Sequence, residues 1–266
     1  MSREFELFLF STDPTTVTAS VAAGVSGVVV DWERVGKRHR QAGADTQIGE
    51  DTVDDLCRVR GCTSSRILCR IDNNVHLLDE QIEEAVAAGA NEILLPMVRS
   101  ADQVEAVLAR SGERCGVGIL IETEAVLGEL DDIATLPLSR AYVGLNDLAI
   151  DRGSTNIFEP LVDGTVDQVR RHLAVPFGLA GLTVADAGTP IPCRLLVGEL
   201  IRLGCTFSFL RRSYHADIRG RDHSQEIPRL HEALDAATRR TAAEVAEDRN
   251  ALVDAIDDWA GVLASA

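Results

Sequence analysis

"GVGILIETEAVLGELDDIATL", residues 116–136, begins as a short apolar run, passes through two acids one residue apart, Glu122 and Glu124, and continues as an amphipathic stretch. A β-rich run followed by a helical pattern of about ten to fifteen residues is the unit from which parallel sheets are built. Seven further runs stand in the chain: "FELFLF" (5–10), "GVVVDW" (27–32), "RILCRI" (66–71), "EILLPMV" (92–98), "RAYVGL" (140–145), "FGLAGL" (177–182) and "TFSFLR" (206–211). Amphipathic stretches such as "DEQIEEAVAAGA" and "SADQVEAVLARSG" lie between them, with Ser100 placed to start a helix and Gly near several helix ends. Eight such units predict a closed (β/α)8 TIM barrel rather than an open sheet.

The 266 residues, 45% of them hydrophobic, suffice for one large core, so a single domain over 1–266 is expected. The segment 226–266 is helical in pattern and longer than one barrel helix needs; it is expected to extend over the barrel or a neighbouring subunit, in a homo-oligomer. A formal net charge of -16 argues against a nucleic-acid surface. No apolar run is long enough for a membrane span or signal core, and a cytoplasmic location is expected. Six cysteines without a C-x-x-C pair suggest free thiols rather than a zinc ribbon or a disulfide framework.

In a barrel of this kind chemistry collects where the strands end. Those ends read Asp31 and Glu33, Arg70 and Asp72, Glu122 and Glu124, Asn146 and Asp147, Arg211 and Arg212. Side chains alternate along a strand, and small residues favour the crowded barrel interior, so Gly118 and Leu120 face inward and Glu122 follows them over the mouth. Glu124 sits where a helix begins, and an acid there is favoured by the helix dipole. Asp147 follows Gly144, which would let backbone approach a ligand. Asp147 is either a second carboxylate for a hard cation such as Mg2+ or Mn2+, or a helix N-cap. Arg70 can grip a carboxylate or enolate bidentately, or pair with Asp31 or Glu33; both can hold at once.

Three stretches, "GANEILLPMVRSADQVEAV" (89–107), "GILIETEAVLGELDDIA" (118–134) and "AYVGLNDLAIDRG" (141–153), resemble the strand-four, strand-five and strand-six signatures of the HpcH/HpaI aldolase and citrate lyase beta-subunit family. "SGVVVDWE" and "CRID" extend the match over about 25–212. The resemblance implies a Mg2+-dependent barrel that makes or breaks a carbon–carbon bond beside a 2-oxo acid of the pyruvate or oxaloacetate type. The alternative is an acyl thioester of the malyl-CoA or citryl-CoA type. It implies metal ligands at Glu122 and Asp147, a substrate or enolate arginine at Arg70, an acidic pair at Asp31 and Glu33 that orders metal-bound water, and a small anionic substrate. Gly144 and Asn146 are expected at the substrate.

The aldolase branch resembles "GEH" after strand two and tends to carry Gln where this chain has Leu120. Here the stretch after strand two is "DWERVGKRHRQ" (31–41), and both departures tilt toward the lyase-like branch. Arg34, Lys37, Arg38, His39 and Arg40 form a basic cluster, either a solvated loop or an attractant for an anionic substrate, with Lys37 and Arg38 as substrate contacts. His39 could supply the missing base. In "FLRRSYHADIRGRDH", Arg211, Arg212, Tyr214 and His215 contact a carboxylate or tie down the last helices. Strands seven and eight lack a glycine-rich phosphate loop, which disfavours a sugar-phosphate isomerase. A barrel with a binding role and no catalysis is the remaining alternative.

Overall fold

Each apolar run stops where its backbone can no longer support a ladder. In "EILLPMV" the strand ends at Leu95, because Pro96 has no N–H to donate and Met97 takes a left-handed φ of 50°. The computed structural model describes residues 5–34 and 51–265. Among them eight parallel strands, β1 (Glu6–Phe10), β2 (Gly27–Asp31), β3 (Arg66–Arg70), β4 (Glu92–Leu95), β5 (Gly116–Ile121), β6 (Arg140–Val143), β7 (Phe177–Leu182) and β8 (Phe207–Leu210), close on themselves in chain order. β8 pairs back to β1 through Leu7↔Ser208 and Phe8↔Phe209.

The α-helices among the described residues are α1 (Pro14–Ala22), α2 (Val53–Cys62), α3 (Leu78–Ala87), α4 (Ala101–Ser111), α5 (Leu130–Ile133), α6 (Leu145–Arg152), α7 (Thr165–His172), α8 (Cys193–Arg202), α9 (Arg212–Asp217), α10 (His223–Thr238) and α11 (Ala242–Ala264). The stretch read as one amphipathic helix over 124–136 is instead a 3-10 turn, Ala125–Gly128, followed by the single turn α5. Gly128 interrupts it and Pro137 bounds it. The tail begins inside α10 and breaks before Thr241, whose side chain and Glu244 form a reciprocal cap on α11. α10 packs on α1 and α8, and α11 on α8. Leu252 and Ile256 are buried there, and Arg249 donates to Glu199 Oε1 (2.7 Å) and to the Leu161 carbonyl (2.7 Å). The tail therefore covers its own barrel. No described helix is long and apolar enough to cross a membrane.

Strand alternation sorts the core into two layers. Val28, Val30, Ile67, Ile93, Ile119 and Ile121 face the helices, while Phe8, Val29, Leu68, Leu94, Leu120, Tyr142, Phe207 and Phe209 fill the barrel. Where the strands begin, Arg140 is 2% exposed, donates from Nε to Glu92 Oε1 (2.6 Å), and lies over the rings of Phe8 and Phe207 at 4.5 and 4.7 Å. Gly118 makes this possible, since a Cβ there would stand 2.7 Å from Arg140 Cγ and 2.8 Å from Glu92 Oε1.

Candidate active site

The inward parity of β2 and β3 carries Val29 to Asp31 and Leu68 to Arg70, and the strand register sets Asp31 opposite Arg70. Arg70 Nε donates to Asp31 Oδ1 at 2.8 Å and Nη2 to Oδ2 at 2.6 Å, a bidentate pair; Nη1 stands 3.3 Å from Glu33 Oε2. The guanidinium is 1% exposed. Burial alone would lower its pKa, but Asp31 and Glu33 hold it above the ordinary value. The ion-pair reading of Arg70 is thus realised, and few of its protons are left for a substrate. Around this group the Asp31 N–H donates to Asp51 Oδ2 (2.8 Å), the Arg34 N–H to Asp72 Oδ1 (2.8 Å), and Gln81 Nε2 to Asp72 Oδ2 (3.1 Å). Burial pushes the Asp51 carboxyl up. Asp51 and Gln81 escape sequence reading because neither follows an apolar run.

Glu122 lies one residue beyond β5 and is 3% exposed. Its Oε2 accepts from the Met97 N–H at 3.1 Å, a donor aimed by the left-handed turn after Pro96. Among described residues it has no ion pair. The absence of a side chain at Gly144 makes room for this carboxylate: a Cβ there would stand 2.5 Å from Glu122 Oε1. Asp147 is the third residue of α6, buried at 5% exposure; the N-cap of that helix is Gly144, so the N-cap reading of Asp147 does not hold. Asn146 is half-buried in the same turn. Burial, then the charges of Asp147 and Glu33, push the Glu122 pKa well above the carboxylate range. A buried carboxylate in a field of like charge is costly unless a cation joins it. No three His, Cys, Asp or Glu side chains converge as a metal cluster among the described residues. Glu122 and Asp147 thus offer two carboxylates, the number with which a hard cation such as Mg2+ is commonly held when its other positions go to water.

Glu124 stands at the start of the 3-10 turn without a side-chain capping hydrogen bond. It pairs with Arg152, which also donates to Asp163 Oδ2 and Thr165 Oγ1, both at 2.9 Å; Arg99 pairs with Asp151 at 2.7 Å, and Asp151 Oδ2 accepts from the Glu124 N–H at 2.8 Å. These contacts fasten α6, and so Asp147, to the strand-five and strand-four ends. Tyr214 and His215 are structural: Tyr214 Oη and His223 Nδ1 share a hydrogen bond of 2.9 Å, and His215 Nε2 donates to the Phe10 carbonyl at 2.6 Å. Arg211 differs from both; its guanidinium lies 4.7 Å over the Phe10 ring and 3.8 Å from Asp31 Oδ2. Lys37, Arg38 and His39 lie outside the described residues.

A cavity of about 370 Å³ opens at the opposite end of the barrel, lined by Glu6, Arg66, Glu92, Ser139, Arg140 and Thr206 among others. Its carboxylates already pair with its arginines, and in barrels of this class the end where strands begin serves stability. The candidate site is therefore the mouth formed by Glu122, Asp147, Asp31, Glu33 and Arg70.

No family model matches this chain, and no curated relative matches it in sequence. Solved structures do match its backbone. An HpcH/HpaI aldolase from Desulfitobacterium hafniense DCB-2 is 15% identical with a TM-score of 0.63, over 90% of this chain and 95% of that one. Citrate synthase SbnG is 17% identical with a TM-score of 0.60, over 82% and 89%. Tryptophan synthase from M. tuberculosis, in an aminoacrylate-bound form, is 14% identical with a TM-score of 0.56, over 89% and 94%. At these identities the likeness establishes the barrel and no more. That a tryptophan synthase stands beside them shows why the chemistry has to be argued from the site.

Proposed function

We propose that this chain is a divalent-cation-dependent carbon–carbon lyase or aldolase acting on a 2-oxo acid, with Mg2+ or Mn2+ held by Glu122 and Asp147. The observation that supports it most is Glu122 itself: buried, given one hydrogen bond, without an ion pair among the described residues, and next to a second carboxylate from the neighbouring strand end. A cation bound there supplies positive charge to the substrate's carboxylate and keto oxygens as negative charge develops during bond cleavage.

The remaining roles belong to the chain. The Met97 N–H and the space at Gly144 fix the Glu122 carboxylate. The floor of Phe10, Leu120, Tyr142 and Phe209 closes the barrel beneath the site and keeps water from entering below. Arg70 holds Asp31 and Glu33 at the rim, and in this reading the two acids order water bound at the cation. The test is metal binding by calorimetry together with exchange of pyruvate methyl protons in D2O. Wild type is expected to bind Mg2+ and to catalyse exchange that EDTA abolishes, and Asp147→Ala to lose both. An Asp147→Ala protein with wild-type metal content and turnover would refute the assignment.

A further inference from the structure

The mouth holds two arginines, one buried and one half-buried, with unequal company. Arg70 is gripped bidentately by Asp31 and approached by Glu33 at 3.3 Å. Arg211, one residue past β8 and of the same inward parity as Phe207 and Phe209, makes no hydrogen bond among the described residues. Its single ion pair among those residues is the long one to Asp31 Oδ2, an oxygen that Arg70 Nη2 already takes at 2.6 Å. Its side chain is only 26% exposed. Burial first, and then the like charge of Arg70, lower its pKa, so the cation is under-compensated where it stands.

The fold holds it there nevertheless. The guanidinium carbon lies 4.7 Å from the centre of the Phe10 ring, which packs edge-to-face on Phe209 at 5.3 Å, and Phe209 lies 4.2 Å from Tyr142. A cation–π contact holds a guanidinium without using up its N–H donors. The charges of Glu122 and Asp147 also reach it, which sets it at the rim of the same site.

We infer that Arg211 is a specificity-determining residue that contacts a second anionic group of the substrate, so that the preferred ligand class is a 2-oxo acid carrying a distal carboxylate rather than a monocarboxylate. The inference rests on the proposed function. The metal end of the site takes the 2-oxo carboxylate; Arg70, spent on Asp31 and Glu33, leaves Arg211 to read the far end of the molecule. An anion there restores the compensation that Asp31 cannot give to two arginines at once.

The test compares ligands of one carbon skeleton with and without the second carboxylate: oxaloacetate against 2-oxobutyrate, and 2-oxoglutarate against 2-oxopentanoate. Binding is measured with Mg2+ present, on wild type, Arg211→Met and Arg211→Lys. Methionine keeps an apolar stem over Phe10 and removes the charge. Wild type is expected to prefer a dicarboxylate by 10-fold or more, a charge-assisted contact being worth about 1.5–3 kcal/mol. Arg211→Met should bring that ratio close to one and Arg211→Lys should recover part of it. A wild-type ratio near one, or a ratio unchanged in Arg211→Met, overturns the inference while leaving the lyase reading in place. Succinate against butyrate reads the arginine without the 2-oxo group. If wild type binds no 2-oxo acid yet prefers succinate through Arg211, the lyase reading fails and the anion contact stands; if neither binds, both fail.

Discussion

Replacing Gly144 with alanine isolates the packing that positions Glu122. The backbone at Gly144 has φ -88° and ψ 90°, on the negative-φ side that alanine adopts, so the perturbation is steric. The new Cβ would stand 2.5 Å from Glu122 Oε1, 2.6 Å from Cγ and 2.9 Å from Cδ. Ordinary carbon contacts begin near 3.5 Å, so relief requires the carboxylate to move by about 1 Å. Overpacking of this kind costs about 1–3 kcal/mol, or several degrees in Tm at about 2–4 °C per kcal/mol for a chain of this size. A displacement of about 1 Å at a reacting centre costs on the order of 10²-fold in rate. Gly144→Ala should therefore stay folded, bind Mg2+ at least tenfold more weakly, and lose about two orders of magnitude in turnover. Calorimetric metal titration, a thermal melt and exchange of substrate protons measure the three. Gly61→Ala in α2 is the control, because a Cβ there meets nothing within 4 Å. Wild-type metal affinity and turnover in Gly144→Ala would show that this contact does not place the carboxylate.

At the end of the barrel where the strands begin, Arg140→Leu strips the charged partner from Glu92, which is 4% exposed, and should cost about 3–5 kcal/mol in urea unfolding, with Glu92→Gln in the same chain recovering part of it. Asp186 is held below its ordinary pKa of 3.8 by hydrogen bonds from Arg221 and then Arg229. A depressed carboxyl contributes stability above its unfolded pKa and loses it as pH falls through the folded one. The urea midpoints of wild type and Asp186→Asn should thus differ at pH 7 and converge well below pH 3.8. Native thiol titration should find Cys57 fast, and Cys69, Cys193 and Cys205 silent until denaturant is added. Burial raises the pKa of all three buried thiols, that of Cys193 to about 11.

Much of the barrel is legible along the chain because its information is local. The period-two pattern of "GVGILI" puts Gly118 and Leu120 inside and Ile119 and Ile121 outside, and the structure has them so. The same parity carried Glu122 to the mouth. Helix boundaries were less legible where a capping contact decides them: 124–136 has amphipathic spacing, yet Gly128 and the tie from Thr123 Oγ1 to the Val98 carbonyl (2.6 Å) turn it into a 3-10 turn and one helical turn.

By itself, then, the sequence determined the strand order, the two faces of each strand and the set of charged residues delivered to one end. These follow from hydrophobic periodicity, which each residue expresses whatever lies across the barrel. Only the tertiary structure decided how that set is partitioned. Arg70 is given to Asp31 and Glu33, Gly144 to the carboxylate of Glu122, Glu124 to Arg152, and Arg211 is left with a ring beneath it and a carboxylate oxygen already in use. Pairing between strand ends that lie tens of residues apart depends on register and distance, and a buried charge takes its energy from its nearest partner.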